Sequence, residues 1–285
     1  MLPPPAPAGT PRRVLTVAGS DSGGGAGLQA DLRTFALLGV HGCTAVTAVT
    51  VQNSLGVTGI AEIPPETVAA QIVSVAGDIG VDAVKTGMLA STPIIEAAAA
   101  AFDEAHIGAA GGVPLVVDPV CASMHGDPLL AVDARDTLVE VLFPRATLVT
   151  PNLDEVRLLT GIDVVDPATQ QAAARALHEM GARWALVKGG HLRGSERSPD
   201  LLFDGSTFAQ FDAPRVDTPH DHGAGDTLAA AVAAALAHGL SVPAAVQFAK
   251  DWVTRCLTAA YPLGAGHGPV SPLWRLSAPE LTGSP

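Results

Sequence analysis

Short runs of aliphatic and β-branched residues alternate with longer Ala/Leu-rich stretches along most of the chain. The runs fall at 14–18, 44–51, 83–85, 115–117, 147–150 and 184–187. They are continuously apolar rather than alternating, which predicts strands covered on both faces. Helical patterns lie between several of them, at 28–38, 65–79, 93–105, 133–142 and 167–180. Strand–helix–strand repetition with right-handed crossovers predicts an α/β fold, a central mostly parallel sheet with helices on both faces. A hairpin is expected from 200–203 and 208–211 about the turn Asp204-Gly205-Ser206. Two helices, 226–237 and 242–260, come after it. Neither an internal repeat nor a linker interrupts the pattern. It reads as one domain over 13–276, between a disordered Pro-rich tail (1–12) and a short C-terminal tail (277–285).

The segments just beyond the strand ends carry the chemistry. In order they are Gly19-Ser20-Asp21-Ser22-Gly23-Gly24-Gly25-Ala26-Gly27, Gln52-Asn53-Ser54, Thr86-Gly87-Met88, Asp118-Pro119, Pro151-Asn152-Leu153-Asp154-Glu155 and Lys188-Gly189-Gly190-His191. Parallel strands point one way, so these polar, glycine-rich segments collect along one edge, where open α/β sheets bind ligands. βα loops are commonly polar and glycine-rich, but six such ends, several of them ionisable, point to a site.

Composition narrows the ligand. A formal charge of −12 argues against nucleic acid or an anionic membrane as partner. The longest apolar stretch, 228–237, is too short to span a bilayer, and the first residues lack the apolar core of a secretory signal. Three widely separated cysteines without CxxC spacing argue against disulfides and zinc, and place the chain in a reducing, cytoplasmic setting. Of 16 basic residues only Lys85, Lys188 and Lys250 are lysines, so each is a candidate for a specific task.

Two phosphate signatures, GxxxxGK[ST] and GxGxxG, are absent. A third is present. His220-Asp221-His222-Gly223-Ala224-Gly225-Asp226-Thr227 stands just before a long Ala-rich helix. Small residues there leave N–H groups open at the positive end of the helix, able to cradle an anion. Asp226 in that first turn reads either as a helix cap or as a base taking the proton from an attacking hydroxyl. Asn152 and Glu155, three apart at a strand end, suit water-mediated Mg²⁺ binding or simply start a helix. Asp118 is a second Mg²⁺ candidate or a turn residue, and Lys188, after an apolar strand and before two glycines, suits a nucleotide phosphate. Together they suit phosphoryl transfer, which needs positioning and charge neutralisation more than covalent chemistry.

The stretch VLTVAGSDSGGGAGLQADLRTFALLGVHGCTAVTAVTVQNSLGV (14–57) closely resembles the opening of hydroxymethylpyrimidine/phosphomethylpyrimidine kinases of thiamine biosynthesis. The likeness continues through VKTGML, VVDPV, SMHGDPLL, TLVTPNLDE, LVKGGH, GAGDT and GAGHGPV, over roughly 13–270. It implies a ribokinase-like fold and two ATP-dependent steps. The first phosphorylates the hydroxymethyl oxygen of 4-amino-5-hydroxymethyl-2-methylpyrimidine, and the second converts the monophosphate to the diphosphate. It further implies Mg²⁺, with K⁺ left open, and a homodimer. By position, Asp31 and Gln52 would hold the aminopyrimidine edge, with Gly19, Ala26 and Met88 lining the ring pocket. Asp118 and Glu155 match the magnesium region. Lys188, Asn152 and Thr227 fall on the ATP side, as does Lys250 unless it faces solvent. Gly223, Ala224 and Gly225 would form the anion hole.

The chain departs from the family at that hole. Many of its members carry Gly-Thr-Gly-Cys, whereas here the cysteine position is Asp226, as in sugar kinases and many pyridoxal kinases. That favours Asp226 as the base and keeps pyridoxal as a rival substrate; a non-catalytic ligand sensor is the rival of another class. Cys121, Met124 and His125 also depart from the family and have no assigned role. His191, His220 and His222 read as loop residues, and Arg193–Pro199 as a flap over ATP or a plain surface loop. Cys43, Trp184 and Trp252 read as core.

Overall fold

The computed structural model describes residues 9–121, 129–131, 133–190 and 196–276. Among the described residues nine strands form one sheet: β1 (Arg13–Ser20), β2 (His41–Asn53), β3 (Gly56–Glu62), β4 (Ala83–Thr86), β5 (Leu115–Val117), β6 (Leu148–Val149), β7 (Ala185–Val187), β8 (Arg197–Phe203) and β9 (Phe208–Pro214). Their order is β3-β2-β1-β4-β5-β6-β7-β8-β9. β2, β1, β4, β5, β6 and β7 pair in parallel, whereas β3, β8 and β9 join by antiparallel pairings at the two ends. The long helices are α1 (Gly27–Leu37), α2 (Pro65–Ser74), α3 (Thr92–Glu104), α5 (Leu153–Thr160), α6 (Pro167–Glu179), α7 (Ala224–Ala237) and α8 (Val242–Thr258), with a short α4 (Ala134–Thr137).

Period-2 geometry sends neighbouring residues of each parallel strand to opposite faces. Val14, Ala83, Val116, Leu148 and Leu186 pack with α1, α7 and α8, while Leu15, Val17, Val84, Leu115, Val117, Val149 and Val187 pack with α2, α3, α4, α5 and α6. Both sets are apolar, so the runs look continuous. Leu228–Ala237 of α7 is buried along its whole length, and its alanines let it sit close across the middle of the sheet.

The expected strands and hairpin are present, and three details differ. The edge strand β3 carries no apolar run. Its residues Gly56 to Glu62 are mostly exposed, so the pattern of a doubly covered strand does not arise there. The helical stretches 65–79 and 133–142 each finish in a π-helical turn, at Val75–Ile79 and Leu138–Leu142. Arg12, placed in the tail by sequence, is already anchored: its guanidinium meets Asp82 at 3.1 Å and its carbonyl accepts from His41 N at 2.7 Å.

From β1 the chain passes through α1 to β2 on one side, then returns after β3 and α2 to β4 on the other. The direction of winding therefore reverses at β1/β4. The carboxyl ends of those two strands open onto a cavity of about 970 Å³, the expected ligand position for a doubly wound sheet.

Candidate active site

The head of α7 forms one wall of the cavity. Gly223 precedes the helix in the left-handed region, at φ +77°, and no side chain caps the first turn. The Ala224 N–H donates to Asp221 O at 3.0 Å, and the N–H groups of Gly223 and Gly225 are left for an anion at the positive helix end. A Cβ on Gly223 would lie 2.1 Å from the carbonyl oxygen of Gly25, because the loop after β1 packs directly on this turn. Gly223→Ala is expected to cost about 1 kcal/mol for the positive φ alone, and to push the two loops apart as well. The check is a thermal melt beside a turnover assay: Tm falls by about 2–4 °C or more, and turnover falls with it.

Asp226 lines the cavity in the first turn of α7. Its Oδ1 accepts from Lys85 Nζ at 3.0 Å, and its carboxylate also accepts from the N–H of Gly27. Burial pushes the Asp226 carboxyl up, but the charge and hydrogen bond of Lys85 outweigh it, so the net shift is downward. The group is an ionised carboxylate facing the anion-binding turn.

Each of the three lysines lies within 3.0 Å of a buried aspartate. Lys85, at the end of β4, also contacts Asp226. Lys188, just beyond β7, meets Asp118 at 3.0 Å, and Thr150 donates to the same Asp118 oxygen at 2.9 Å. Lys250 on α8 meets Asp200 of β8 at 2.9 Å and donates to Ser198 Oγ at 2.9 Å, so it does not face solvent. Burial costs an ammonium its hydration. For Lys188, Asp118 and Glu155 reverse that penalty and the net shift is upward.

Glu155 opens α5 in a capping box with Asn152: each side chain accepts from the other residue's N–H, at 2.8 and 2.9 Å. Glu155 is 6% exposed and lines the cavity. Burial, with Asp118 adding repulsion, pushes its carboxyl up to about 7 against the pull of Lys188. Gly225 lies beside this cluster, where a Cβ would make ordinary contact with Lys188 Nζ at 3.4 Å and Asp118 Oδ2 at 3.7 Å.

The opposite end of the cavity is lined by Gly19, Ala26, Thr50, Gln52 and Met88. Met88 occupies the space above Gly19, where a Cβ would fall 2.4 Å from its Cε. Asp21 organises the adjoining loop, accepting from Gly23 N, Gly25 N and Ala26 N at 2.7–2.9 Å. His222 Nε2 lies 3.0 Å from Asp21 Oδ2 and 3.5 Å from Gln52 Nε2. Burial raises the Asp21 carboxyl, and His222 with the Ala26 and Gly23 N–H groups outweighs it, for a net downward shift.

Gly19, Ala26, Gln52, Met88, Asn152, Glu155, Lys188, Gly223, Ala224, Gly225, Asp226 and Lys250 thus converge on one cavity. Three expected residues stand back from it. Asp31 is fully buried behind the wall, held by Thr16 Oγ1 at 2.6 Å and Lys85 at 2.9 Å, and does not reach the ring pocket. Thr227 is buried in α7, its N–H donating to Gly223 O. Asp118 lies under Lys188. Arg197–Pro199, the end of the expected flap, belongs to β8; Met124, His125 and the start of that flap lie outside the described residues. Cys121, in contrast, lines the cavity. Sequence reasoning assigned no role to Asp21, His222 or Asp200, and did not show that Lys85 pairs with Asp31 and Asp226. Asp21 carried a signal in hindsight: an aspartate before a glycine run favours side-chain capping of the following N–H groups.

The phosphomethylpyrimidine kinase family model matches residues 21–271. A hydroxymethylpyrimidine/phosphomethylpyrimidine kinase of Mycobacterium leprae is 65% identical over 96% of this chain and 98% of its own. One from Streptomyces coelicolor is 54% identical over 95% and 98%. Among solved structures, Bacillus subtilis pyridoxal kinase in complex with ADP superposes with a TM-score of 0.84 at 37% identity, covering 93% of this chain and 99% of that one. The fold is therefore the ribokinase-like α/β fold of these kinases. Both likenesses run through the sheet edge and the glycine-rich turns that build the cavity, and the chain belongs to the hydroxymethylpyrimidine/phosphomethylpyrimidine kinase family.

Proposed function

We propose that this chain transfers the γ-phosphoryl group of ATP to the hydroxymethyl oxygen of 4-amino-5-hydroxymethyl-2-methylpyrimidine, and then a second one to the resulting monophosphate. The observation that carries this reading is Asp226, an ionised carboxylate in the wall of the cavity at the uncapped head of α7. It lies between a small pocket of Gly19, Gln52 and Met88 and a cationic end at Lys188. The pocket takes the pyrimidine, where the Gln52 amide can both donate to a ring nitrogen and accept from an amino group. The cationic end takes the nucleotide. Asp226 accepts the hydroxyl proton as the O–P bond to the γ-phosphorus forms and the bond to ADP breaks, and the N–H groups of Gly223 and Gly225 hold the phosphoryl oxygens in transit.

Support for ATP comes from the neighbouring structures, which include a Staphylococcus aureus pyridoxal kinase in complex with AMP-PCP and pyridoxal (TM-score 0.83, 34% identity, 92% of this chain and 94% of that one). The donor set also fits Mg²⁺. Asp118 and Glu155 share one lysine, which leaves surplus negative charge at the nucleotide end, and Glu155 is held above its ordinary value by burial and by that surplus. Glu155, which lines the cavity, would hold the ion, with Asp118 behind Lys188 adding negative charge, and the ion would neutralise phosphate charge when bound.

The pyridoxal kinase neighbours support a second reading, because pyridoxal is also a small aromatic ring bearing a hydroxymethyl group. A coupled assay with ATP and, in turn, the hydroxymethylpyrimidine, its monophosphate, pyridoxal and ribose separates the two. Both pyrimidine substrates are expected to show a kcat/KM at least about tenfold above pyridoxal, a difference of about 1.4 kcal/mol in transition-state binding. A higher value for pyridoxal overturns the proposal.

A further inference from the structure

Four elements meet behind Asp226. Lys85 Nζ, with no exposure to solvent, spends its three N–H groups on Asp31 Oδ1 at 3.0 Å, Asp31 Oδ2 at 2.9 Å and Asp226 Oδ1 at 3.0 Å. Asp31 on α1 is itself fixed by Thr16 of β1, whose hydroxyl donates at 2.6 Å. Asp226 comes from α7 and Lys85 from β4. A side chain at Gly87 would crowd this bridge, because a Cβ there lies 3.0 Å from Lys85 Nζ and 3.8 Å from Asp226 Oδ1. Neither Lys85 nor Asp31 lines the cavity, whereas Asp226 does.

We propose that Lys85, anchored on Asp31, is a positioning residue that locks the orientation of the Asp226 carboxylate for proton transfer and keeps it ionised during turnover. The inference deepens the reading of Asp226 as the base and rests on it.

A buried lysine paired for stability alone needs one carboxylate. Here Lys85 receives two oxygens from Asp31 and still directs its third donor at Asp226, the carboxylate that faces the cavity. Two carboxylates share one ammonium; burial, with Asp226 adding repulsion, pushes the Asp31 carboxyl up to about 7 against the pull of Lys85, while Asp226 is held low, so the negative charge is favoured at the cavity end. Asp31 and Asp226 hold Lys85 firmly protonated against the penalty of burial, with Asp118 adding to them. The charged and titratable groups facing Asp226 are Lys85 from β4, Asp31 from α1 behind it, His222 from the turn before α7, and Lys188 with Asp118 from the ends of β7 and β5. Of these, Lys85 is the one that bonds the carboxylate directly.

The test is the pH dependence of the single-turnover rate in Lys85→Met, Asp31→Asn and the double variant Lys85→Met/Asp31→Asn, with Asp226→Asn as control. The double variant leaves no carboxylate stranded behind the wall, so it remains informative where Lys85→Met alone fails to fold. Without Lys85 the acid limb is expected to move up by about 1–3 pH units, so that activity lost at pH 6 returns at pH 8.5. In Asp31→Asn the lysine charge falls undivided on Asp226, and the limb stays at or below its wild-type position. KM values for both substrates are expected to stay within about twofold, the ordinary sign of a residue outside uniform binding. An unmoved acid limb in the double variant, or a raised pyrimidine KM in Asp31→Asn, overturns the role given to Lys85 and Asp31. Undiminished turnover in Asp226→Asn overturns the underlying reading of the base instead, so the two failures are distinguishable.

Discussion

Replacing Asp226 by Asn is expected to slow phosphorylation of the hydroxymethyl group by at least about 10²-fold, the scale of general-base catalysis, while ATP binding is retained. Asparagine keeps the volume and one acceptor for Lys85, so the loss reports the proton acceptor rather than the packing. The two successive reactions should respond unequally. An alcohol must shed its proton as it attacks. A phosphate monoester has its second pKa near 6 and is already mostly dianionic at neutral pH, so it needs no base. Its charge is moreover repelled by the Asp226 carboxylate. The expected result is a large loss in the first step and a much smaller one, or a gain, in the second. Rapid-quench assays with the alcohol and the monophosphate as separate acceptors measure this directly. Equal losses in both steps would falsify a base role confined to the alcohol and point to Asp226 holding the phosphates instead. At neutral pH an aspartate is ionised, unlike an ordinary thiol, and this makes the comparison informative.

Some elements are legible in the sequence and others are not, for physical reasons. The run 115–117 coincides with β5, and 83–85 falls one residue short of β4, because residues covered on both faces leave a continuous apolar signature. β3 left none, being an exposed edge with Gly56 and Gly59 in a seven-residue strand. The site followed the same logic. Gln52, Glu155 and Lys188 were legible because parallel strands all deliver their carboxyl ends to one edge, so proximity to a strand end is proximity to the site. Asp31 lies inside a helix, and the family's pattern placed it on the substrate. Nothing local shows that it faces a lysine 54 residues away, or that the same lysine reaches Asp226 across 141 residues. Scarcity of lysine marked Lys85, Lys188 and Lys250 as unusual, but their partners are set by strand order, which no window of sequence contains.

The second large effect is expected at Glu155, and it has opposite signs on stability and activity. Its folded-state carboxyl is pushed up to about 7 from an ordinary 4.5, because burial and Asp118 disfavour its charge more than Lys188 favours it. A carboxyl raised in this way binds its proton more tightly in the folded chain than in the unfolded one. Its contribution to stability is fully present below about pH 4.5 and is lost as pH rises through about 7. Above that pH the native state carries a buried, imperfectly compensated charge costing on the order of 3 kcal/mol. Glu155→Gln removes the charge while keeping the capping box, since a glutamine oxygen still accepts from the Asn152 N–H. Metal-free protein with this substitution is therefore expected to melt higher than the parent at pH 8 and at nearly the same temperature at pH 4. Turnover should fall by about 10- to 100-fold, the scale for loss of a group acting on a developing phosphoryl charge. Calorimetry at the two pH values and a kinase assay over a range of Mg²⁺ concentrations read both effects. A lower Tm at pH 8 would mean that Lys188 stabilises the Glu155 charge after all. Unchanged turnover would remove Glu155 from the nucleotide end of the site. A residue that costs stability in the resting protein and is needed in the reaction is the pattern expected where charge has been stored for a cation that arrives with the substrate.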